Sequence, residues 1–247
     1  MKIVICSKGR AGNVKTLDLL GEFSKDEIFL FVEPQDFSSY EIYSDKATLI
    51  TLDKNDGGIG YARNFALSYF KPDEIVWMLD DDIDKFQYKN LAGKMENNNN
   101  LRATVHTIIN EMKERGLAVI GTRFSSVAHW GGGLGQIAIS YFIDKSKIGE
   151  INYNKELFYN EDKYFLFELL KNKKKIGLTY FFFHLVSKTG ERKGGVQSFA
   201  MSKKIESMQI MYRDFSDYCS WFIDSKGLLK LKLKWAKLYE DSNSDNK

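Results

Sequence analysis

An α/β fold built on a mostly parallel sheet is the class this sequence predicts, and three observations point to it. Short apolar runs alternate with segments of helical spacing from residue 3 to residue 79. Glycine-containing loops follow the first and third of those runs, where strands of an α/β sheet turn into helices. The chain has 247 residues and is 43% hydrophobic, enough for the core of one domain or of one domain with a small appendage. Strands alternating with helices at this spacing imply parallel βαβ units.

The elements follow in order. Residues 3–6 form an apolar strand that ends in Ser7-Lys8-Gly9-Arg10-Ala11-Gly12. Residues 13–23 place Val14, Leu17, Leu20 and Phe23 at helical spacing. Residues 28–32 make a second strand, 37–43 a short helix that Gln35 and Asp36 are placed to cap, and 48–52 a third strand. The loop Asp56-Gly57-Gly58-Ile59-Gly60 leads to a helix over 61–70, and 74–79 is a fourth strand that runs directly into acid. Beyond it the pattern predicts a surface turn at 97–100, a helix over 101–115, a strand over 118–121, a glycine loop at 131–135 and a strand over 136–142. A helix over 161–172, a strand over 178–184 and a Gly- and Lys-rich loop over 188–197 come next. Helices over 202–218 and 228–238 and a polar tail close the chain. This organisation predicts a main domain over residues 1–200 and a helical C-terminal extension over 201–247 packed on it.

Composition narrows the partners. A net charge of +3 does not imply a uniformly polyanion-binding surface, yet basic residues concentrate at 171–175 and 226–237, which keeps a nucleic-acid partner open. Cys6 and Cys219 are too few for a disulfide framework or a thiolate metal site and read as reduced thiols. Residues 2–6 already read as a buried strand rather than a targeting segment, and no apolar run reaches the ~20 residues of a membrane helix. These features predict a cytoplasmic protein with no membrane partner; they do not speak to its oligomeric state.

Ligands of open α/β sheets bind beyond the carboxyl ends of the strands. Residues 7–10 and 80–82 both lie at such ends, so two loops distant in sequence open onto one crevice. Asp80, Asp81 and Asp82 are consecutive, with Asp84 close behind, and like charges at one strand end repel unless a cation neutralises them. Hard oxygen ligands select Mg2+ or Mn2+. Alternate residues Asp80 and Asp82 can present to one side, one toward a sugar or ribose and one toward the metal; a solvated acidic turn is the competing explanation.

Val76-Trp77-Met78-Leu79-Asp80-Asp81-Asp82 resembles the apolar strand plus DxD signature of GT-A glycosyltransferases. Gly60-Tyr61-Ala62-Arg63-Asn64 is similar to the G-x-A-R-N segment preceding that strand in many of them, and Asn160-Glu161-Asp162 to their later E-D motif. The segment from Ser7 to Gly12, with residues 131–135 and Gly194-Gly195, resembles a narrower group. These are the phage and bacterial glycosyltransferases associated with TET/JBP-type base hydroxylases, proposed to glycosylate hydroxymethylated DNA bases. Lys8 stands where that group is expected to carry Arg. The resemblance covers about residues 1–200. It implies a Rossmann-like GT-A fold, a nucleotide-sugar partner (a UDP-sugar first), modified DNA as acceptor, and a phage host's cytoplasm if the chain is phage-encoded.

The resemblance also implies roles. Ser7, Lys8, Gly9 and Arg10 would frame the donor, since small residues admit the ligand and Arg10 can pair with a phosphate or stack on a base; an ordinary βα turn with an exposed Arg fits equally. Arg63 and Asn64, at a helix start behind a glycine loop, would hold a diphosphate. The competing role gives the Arg63 head to a backbone carbonyl or to an Asp of the acidic loop. Asp80 and Asp81 would contact the donor, and Asp82, with His184 as a further ligand, would hold the metal. His184 also reads as a packed strand residue. Asp162 would take the acceptor proton and Glu161 orient the acceptor, although acids at a helix N-terminus also serve its dipole. Trp130, Gly132 and Gly133 in one loop, and Arg192 and Lys193 in another, would contact the acceptor or close a lid. Two rivals to the transferase are a nucleotidyltransferase, which also uses Asp-bound metal, and a non-enzymatic DNA-binding accessory protein.

Overall fold

The computed structural model describes residues 1–125, 133–186, 201–225 and 227–243. Nine strands build the main sheet: β1 (Lys2–Ser7), β2 (Ile28–Val32), β3 (Thr48–Thr51), β4 (Ile75–Leu79), β5 (Ile83–Lys89), β6 (Met95–Asn97), β7 (Val119–Phe124), β8 (Ser140–Asp144) and β9 (Ile176–Val186). Their order is β3-β2-β1-β4-β8-β7-β9-β5-β6. From β3 to β4 all neighbours are parallel. Beyond β4 the sheet is mixed: β8 runs antiparallel to β4 and β7, β7 and β9 are parallel, and β5 is antiparallel to both β9 and β6. The βαβ pattern thus predicts the parallel half of the sheet, and the second half departs from strictly parallel pairing.

The helices are α1 (Lys15–Asp18), α2 (Phe37–Tyr40), α3 (Ile59–Tyr69), α4 (Leu101–Glu114), α5 (Lys145–Ile148), α6 (Glu161–Lys171), α7 (Met201–Asp214) and α8 (Trp235–Asn243). Among the described residues, no helix is long and apolar enough to cross a membrane. Strand alternation separates two cores, since successive side chains point to opposite faces. Val4 and Met78 join a cluster with Ala62, Ala66, Phe165 and Leu169 from α3 and α6. Ile3, Ile5, Trp77 and Leu79 join the other, with Val105, Ile108 and Met112 of α4. Residues 76–79 are all buried, as a strand covered on both faces requires.

Four expectations about elements are corrected. Residues 13–23 form only the single turn α1, because Val14, Leu17, Leu20 and Phe23 recur every third residue and are linked by successive i+3 backbone bonds. All four are buried, so the apolar spacing is real but the path is a chain of tight turns. Asp36 makes no side-chain cap on α2; its carboxylate accepts from the Gly9 amide at 2.9 Å instead. The strand expected at 136–142 begins only at Ser140. The basic segment expected to be a helix over 228–238 is a strand followed by a helix: β10 (Cys219–Ile223) pairs antiparallel with β11 (Leu229–Leu233), and α8 follows. Leu229, Leu231 and Leu233 alternate with lysines, and period 2 collects them on one face of a strand while a helix would scatter them. The C-terminal part is therefore two helices flanking a two-stranded ribbon. It packs on α6 through Phe167, whose ring meets Phe215 at 5.2 Å and Trp235 at 4.7 Å.

Gly60 fixes how α3 meets the segment leading into α6. Its amide donates to the Leu157 carbonyl at 3.0 Å. A Cβ at this position would stand 2.4 Å from the Asn154 carbonyl oxygen and 2.6 Å from that of Leu157, backbone atoms with no easy retreat. We expect Gly60→Ala to destabilise the fold by ~1–3 kcal/mol through overpacking. Thermal denaturation should then show a Tm lower by roughly 2–10 °C; an unchanged Tm would show that the segment yields.

Candidate active site

The crevice lies beyond the carboxyl ends of β1, β2 and β4. β1 and β4 are adjacent and parallel, with Ile5 opposite Leu79, so the register brings Ser7 at the end of β1 beside Asp81. The acidic loop is pinned from beneath by Thr16. Its hydroxyl donates to the Asp80 carbonyl at 2.6 Å and accepts from the Ile83 amide at 3.0 Å, and its amide donates to the Asp81 carbonyl at 3.3 Å.

Two arginines serve the three consecutive aspartates. The Asp81 carboxylate accepts from the Ser7 hydroxyl at 2.5 Å and from the Arg10 guanidinium. Arg10 also reaches Asp82 at 3.2 Å. Asp80 is bound by Arg63. Burial raises the pKa of Asp81, against the opposing pull of Arg10 and Ser7. Burial likewise pushes Asp80 up to about 7, Arg63 lowering it and the neighbouring Asp82 and Asp81 raising it. A third of the Asp80 side-chain surface still meets solvent, so water screens it more than it screens sealed Glu161.

The loop after β1 is held by side chains from α2 and from the loops that follow β2 and β3. The Tyr40 hydroxyl lies 2.8 Å from Ser7 Oγ and accepts from the Arg10 amide at 2.9 Å. Tyr40 is fully buried, and burial pushes its phenol up to about 12, so it remains a neutral donor and acceptor. The Lys8 ammonium sits 2.9 Å from Glu33 and also binds Asp56. Burial works against its charge, but the bonds to Asp56 and Glu33 hold its pKa above the usual lysine value.

Arg63 is 4% exposed and joins the acidic loop to α6. It donates to Glu161 at 2.6 Å, to Asp80, and to the Tyr141 hydroxyl at 3.3 Å; Tyr141 lies 2.6 Å from the Tyr153 hydroxyl. The next residue, Asn64, donates to the Tyr153 carbonyl at 2.8 Å. The structure therefore directs Arg63 to carboxylates and Asn64 to backbone, and both tie α3 to the segment bearing Glu161 and Asp162. Burial raises the pKa of Glu161, with Arg63 pulling it down and Asp162 pushing it up. Asp162 is half-buried and accepts from the Lys163 amide at 2.8 Å; among the described residues it has no ion-pair partner. Asn160 turns the chain into α6 with a left-handed φ of 60°.

His184 is fully buried on β9 opposite Phe86 of β5, the strand that starts right after Asp82. Its Nδ1 lies 2.6 Å from the Thr122 hydroxyl, which itself donates to the Ser140 carbonyl at 3.1 Å. Nδ1 therefore carries the proton. Nε2 is a buried lone pair with no hydrogen-bond partner among the described residues. Burial lowers the ring's pKa to about 3, so it is neutral. Among the described residues no three His, Cys, Asp or Glu side chains gather to hold a metal on protein ligands alone. The donor chemistry still fits a hard divalent ion that takes the remaining ligands from a diphosphate: a carboxylate at Asp82 and a neutral imidazole with a bare Nε2. Gly133 is exposed, and a Cβ there would meet nothing within 4 Å. Trp130, Gly132, Arg192 and Lys193 lie outside the described residues.

Sequence reasoning missed Thr16, Glu33, Tyr40, Asp56, Tyr141 and Tyr153. All six are single polar residues in otherwise ordinary segments, and only their long-range contacts give them a part in the site.

A mixed sheet whose parallel half opens onto an acidic loop, with a second pair of acids brought in from a later helix, is the architecture of a GT-A type fold. Solved structures of that type are similar to this one. TarS from S. aureus, in complex with UDP, matches with a TM-score of 0.50 at 16% identity, over 87% of this chain and 65% of that one. A mannosyltransferase from Pyrobaculum calidifontis, in complex with GDP-Man and Mn2+, matches with a TM-score of 0.55 at 12% identity, over 86% of this chain and 64% of that one. The chain thus spans just under two thirds of the length of either structure. No individual curated protein matches the sequence. The profile of the TET-associated glycosyltransferases matches residues 1–195, and the chain belongs to that family.

Removing one partner of a buried ion pair leaves a charge unpaired at a cost of ~3–5 kcal/mol. We expect Arg63→Met to cost about this much at pH 8 and clearly less at pH 5. The sign follows from the raised carboxyls. The folded chain holds protons on Asp80 and Glu161 that the unfolded chain has already released, so their contribution falls as pH rises from the usual carboxylate range near 4 to about 7. Loss of Arg63 raises both further and steepens that fall. Urea denaturation at the two pH values measures it, and an equal cost at both would refute the charge argument.

Proposed function

We propose that this chain transfers a sugar from a nucleoside-diphosphate sugar, a UDP-sugar first among the candidates, to a hydroxyl of a hydroxymethylated pyrimidine in DNA. The observation that carries the reading is the meeting of two acid sets at one sheet edge, Asp80 to Asp82 from β4 and Glu161-Asp162 from α6, in a member of a glycosyltransferase family. Residues 1–200 supply this chemistry and residues 201–247 extend it.

Ser7, Lys8, Gly9 and Arg10 frame the nucleotide, with Arg10 placed to move from Asp81 and Asp82 toward a phosphate. Asp80 and Asp81 present oxygens to the ribose and sugar. Mn2+ or Mg2+ held by Asp82, with His184 Nε2 as a second candidate ligand, would supply positive charge against the departing diphosphate. Asp162 accepts the proton of the acceptor hydroxyl at the mouth of the crevice, and Glu161, fixed by Arg63, orients the acceptor. A base on the acceptor side, opposite the leaving diphosphate, favours inversion at the sugar carbon. Trp130, Gly132, Gly133, Arg192 and Lys193 keep their assignment to acceptor contact or lid on the strength of the sequence. A target base must leave the duplex to enter the crevice, at a cost of a few kcal/mol.

Asp82→Asn should leave the fold intact and abolish Mn2+-dependent UDP affinity, measured by calorimetry with and without the ion. An affinity as metal-dependent as that of the natural chain would remove Asp82 from the site.

Asp162→Asn should retain donor binding and lose transfer by about 10²–10⁴-fold, the usual worth of a general base. Single-turnover transfer to a hydroxymethylated oligonucleotide measures it, and full activity in a folded variant would refute the role.

A further inference from the structure

The sequence carries two basic tracts, at residues 171–175 and 226–237, some 50 residues apart. The fold brings them together. Lys171, at the C-terminal end of α6, extends over the Phe215 ring with its ammonium 5.3 Å from the centroid. Lys237 lies 5.4 Å over the Tyr218 ring, and the ammonium groups of Lys234 and Lys237 both approach the Asp217 carbonyl, at 3.5 and 3.4 Å. Residues 215–218 are thus a hub on which α6, the ribbon and α8 converge.

From that hub the cations continue along the ribbon. Lys230 stands opposite Phe222 and Lys232 opposite Ser220, so these four side chains share one face. The other face carries Cys219, Leu231 and Leu233, which pack on the domain. Lys230 and Lys232 have no acidic partner among the described residues. Phe222 is 45% and Ile223 71% exposed, and Leu228 and Leu229 add to an apolar tip. The acids nearby are Asp214, paired with Arg213, Asp217 and Asp241 beside Tyr218, and Asp224 in the ribbon's turn, whose carboxylate accepts from the Leu228 amide at 2.9 Å. The first three lie toward the hub, and Asp224 lies at the far end of the ribbon, past Lys230 and Lys232.

We infer that the outer ribbon face, continued through Lys171, is a docking surface for the phosphate backbone of duplex DNA. The surface rests on the DNA acceptor proposed above and gives it a physical seat. Charge complementarity favours a polyanion, and spacing favours a duplex. α6 has 11 residues, about 16 Å at 1.5 Å each, between Glu161-Asp162 and Lys171. A half turn of B-DNA is ~17 Å. A duplex with one base extruded into the crevice would bring a backbone past Lys171 half a turn away and onward over Lys230 and Lys232. The apolar tip resembles in kind the wedges that β-ribbon proteins press into a groove. The ribbon lies wholly beyond the residues matched by the family profile.

The test uses the full chain, its Lys171→Gln/Lys230→Gln/Lys232→Gln variant, and the same three positions as Arg. Fluorescence anisotropy with an unmodified duplex of about two helical turns, ~20 bp, is read across a salt series. The Gln variant should bind at least about tenfold more weakly, with a salt slope smaller by about 2–3, since each lost phosphate contact removes ~0.9. The Arg variant should bind like the natural chain, and UDP binding should be unchanged in both. Duplex affinity and slope unaffected by the Gln changes would overturn the surface. So would lysine-dependent binding to vesicles of equal parts phosphatidylserine and phosphatidylcholine with no duplex binding. The acceptor reading fails separately: lysine-dependent duplex binding without sugar transfer to hydroxymethylated DNA keeps the surface and removes that acceptor. Transfer indifferent to the lysines does the reverse.

Discussion

Arg63 lies between the carboxylate of Asp80, where β4 ends, and that of Glu161, where α6 begins, with the Tyr141 hydroxyl within reach. Burial disfavours a charged guanidinium, and only the surrounding oxygens keep it well above its ordinary pKa. Such a pair is weak evidence for stability, because desolvation consumes much of its Coulomb gain. Its consequence here is placement. Two acid sets that would repel each other are held at one crevice by a shared counterion, and the helix bearing the second set cannot drift from the strand bearing the first.

The same logic extends across the acidic loop. Three consecutive aspartates at a strand end are tolerable because Arg63 and Arg10 stand on different sides of them and because Thr16 supports the backbone beneath. These cations hold the carboxyl groups in place before any metal or diphosphate arrives, and a ligand that competes for them meets a loop already shaped. Preorganised charge of this kind needs little rearrangement at the moment it is used. Gly60 belongs to this arrangement, since its missing side chain lets the start of α3 press on the carbonyls of residues 154 and 157 and so bring Arg63 within range of Glu161.

The C-terminal part adds a second kind of charge. Its inner face is ordinary core, with Trp235 wedged against Phe167 and against the backbone of Gly135. Its outer face is lysine and exposed apolar side chain. The acids of the crevice and the lysines of the ribbon sit at opposite ends of α6, which explains why a chain of net charge +3 can carry two strongly charged regions.

The sequence by itself determined the parallel half of the sheet, because each strand there is a compact apolar run followed by a loop or helix signal that needs no distant partner. It also marked residues 80–82 and 161–162, where adjacent carboxylates are visible without a structure. Local pattern misled where two periods coincide: residues 13–23 satisfy a helix and a chain of i+3 turns alike, and the Leu-Lys alternation after residue 228 reads as amphipathic in either geometry until β10 supplies its hydrogen bonds. β5 and β6 were invisible for a related reason, since half-exposed strands of mixed polarity carry little signal of their own. Tertiary structure alone decided which cation meets which acid, that Tyr40 and Thr16 support the crevice, and that His184 is buried with Nε2 unpaired. Those outcomes depend on contacts across 30 to 100 residues of chain, and no local spacing encodes a partner at that range.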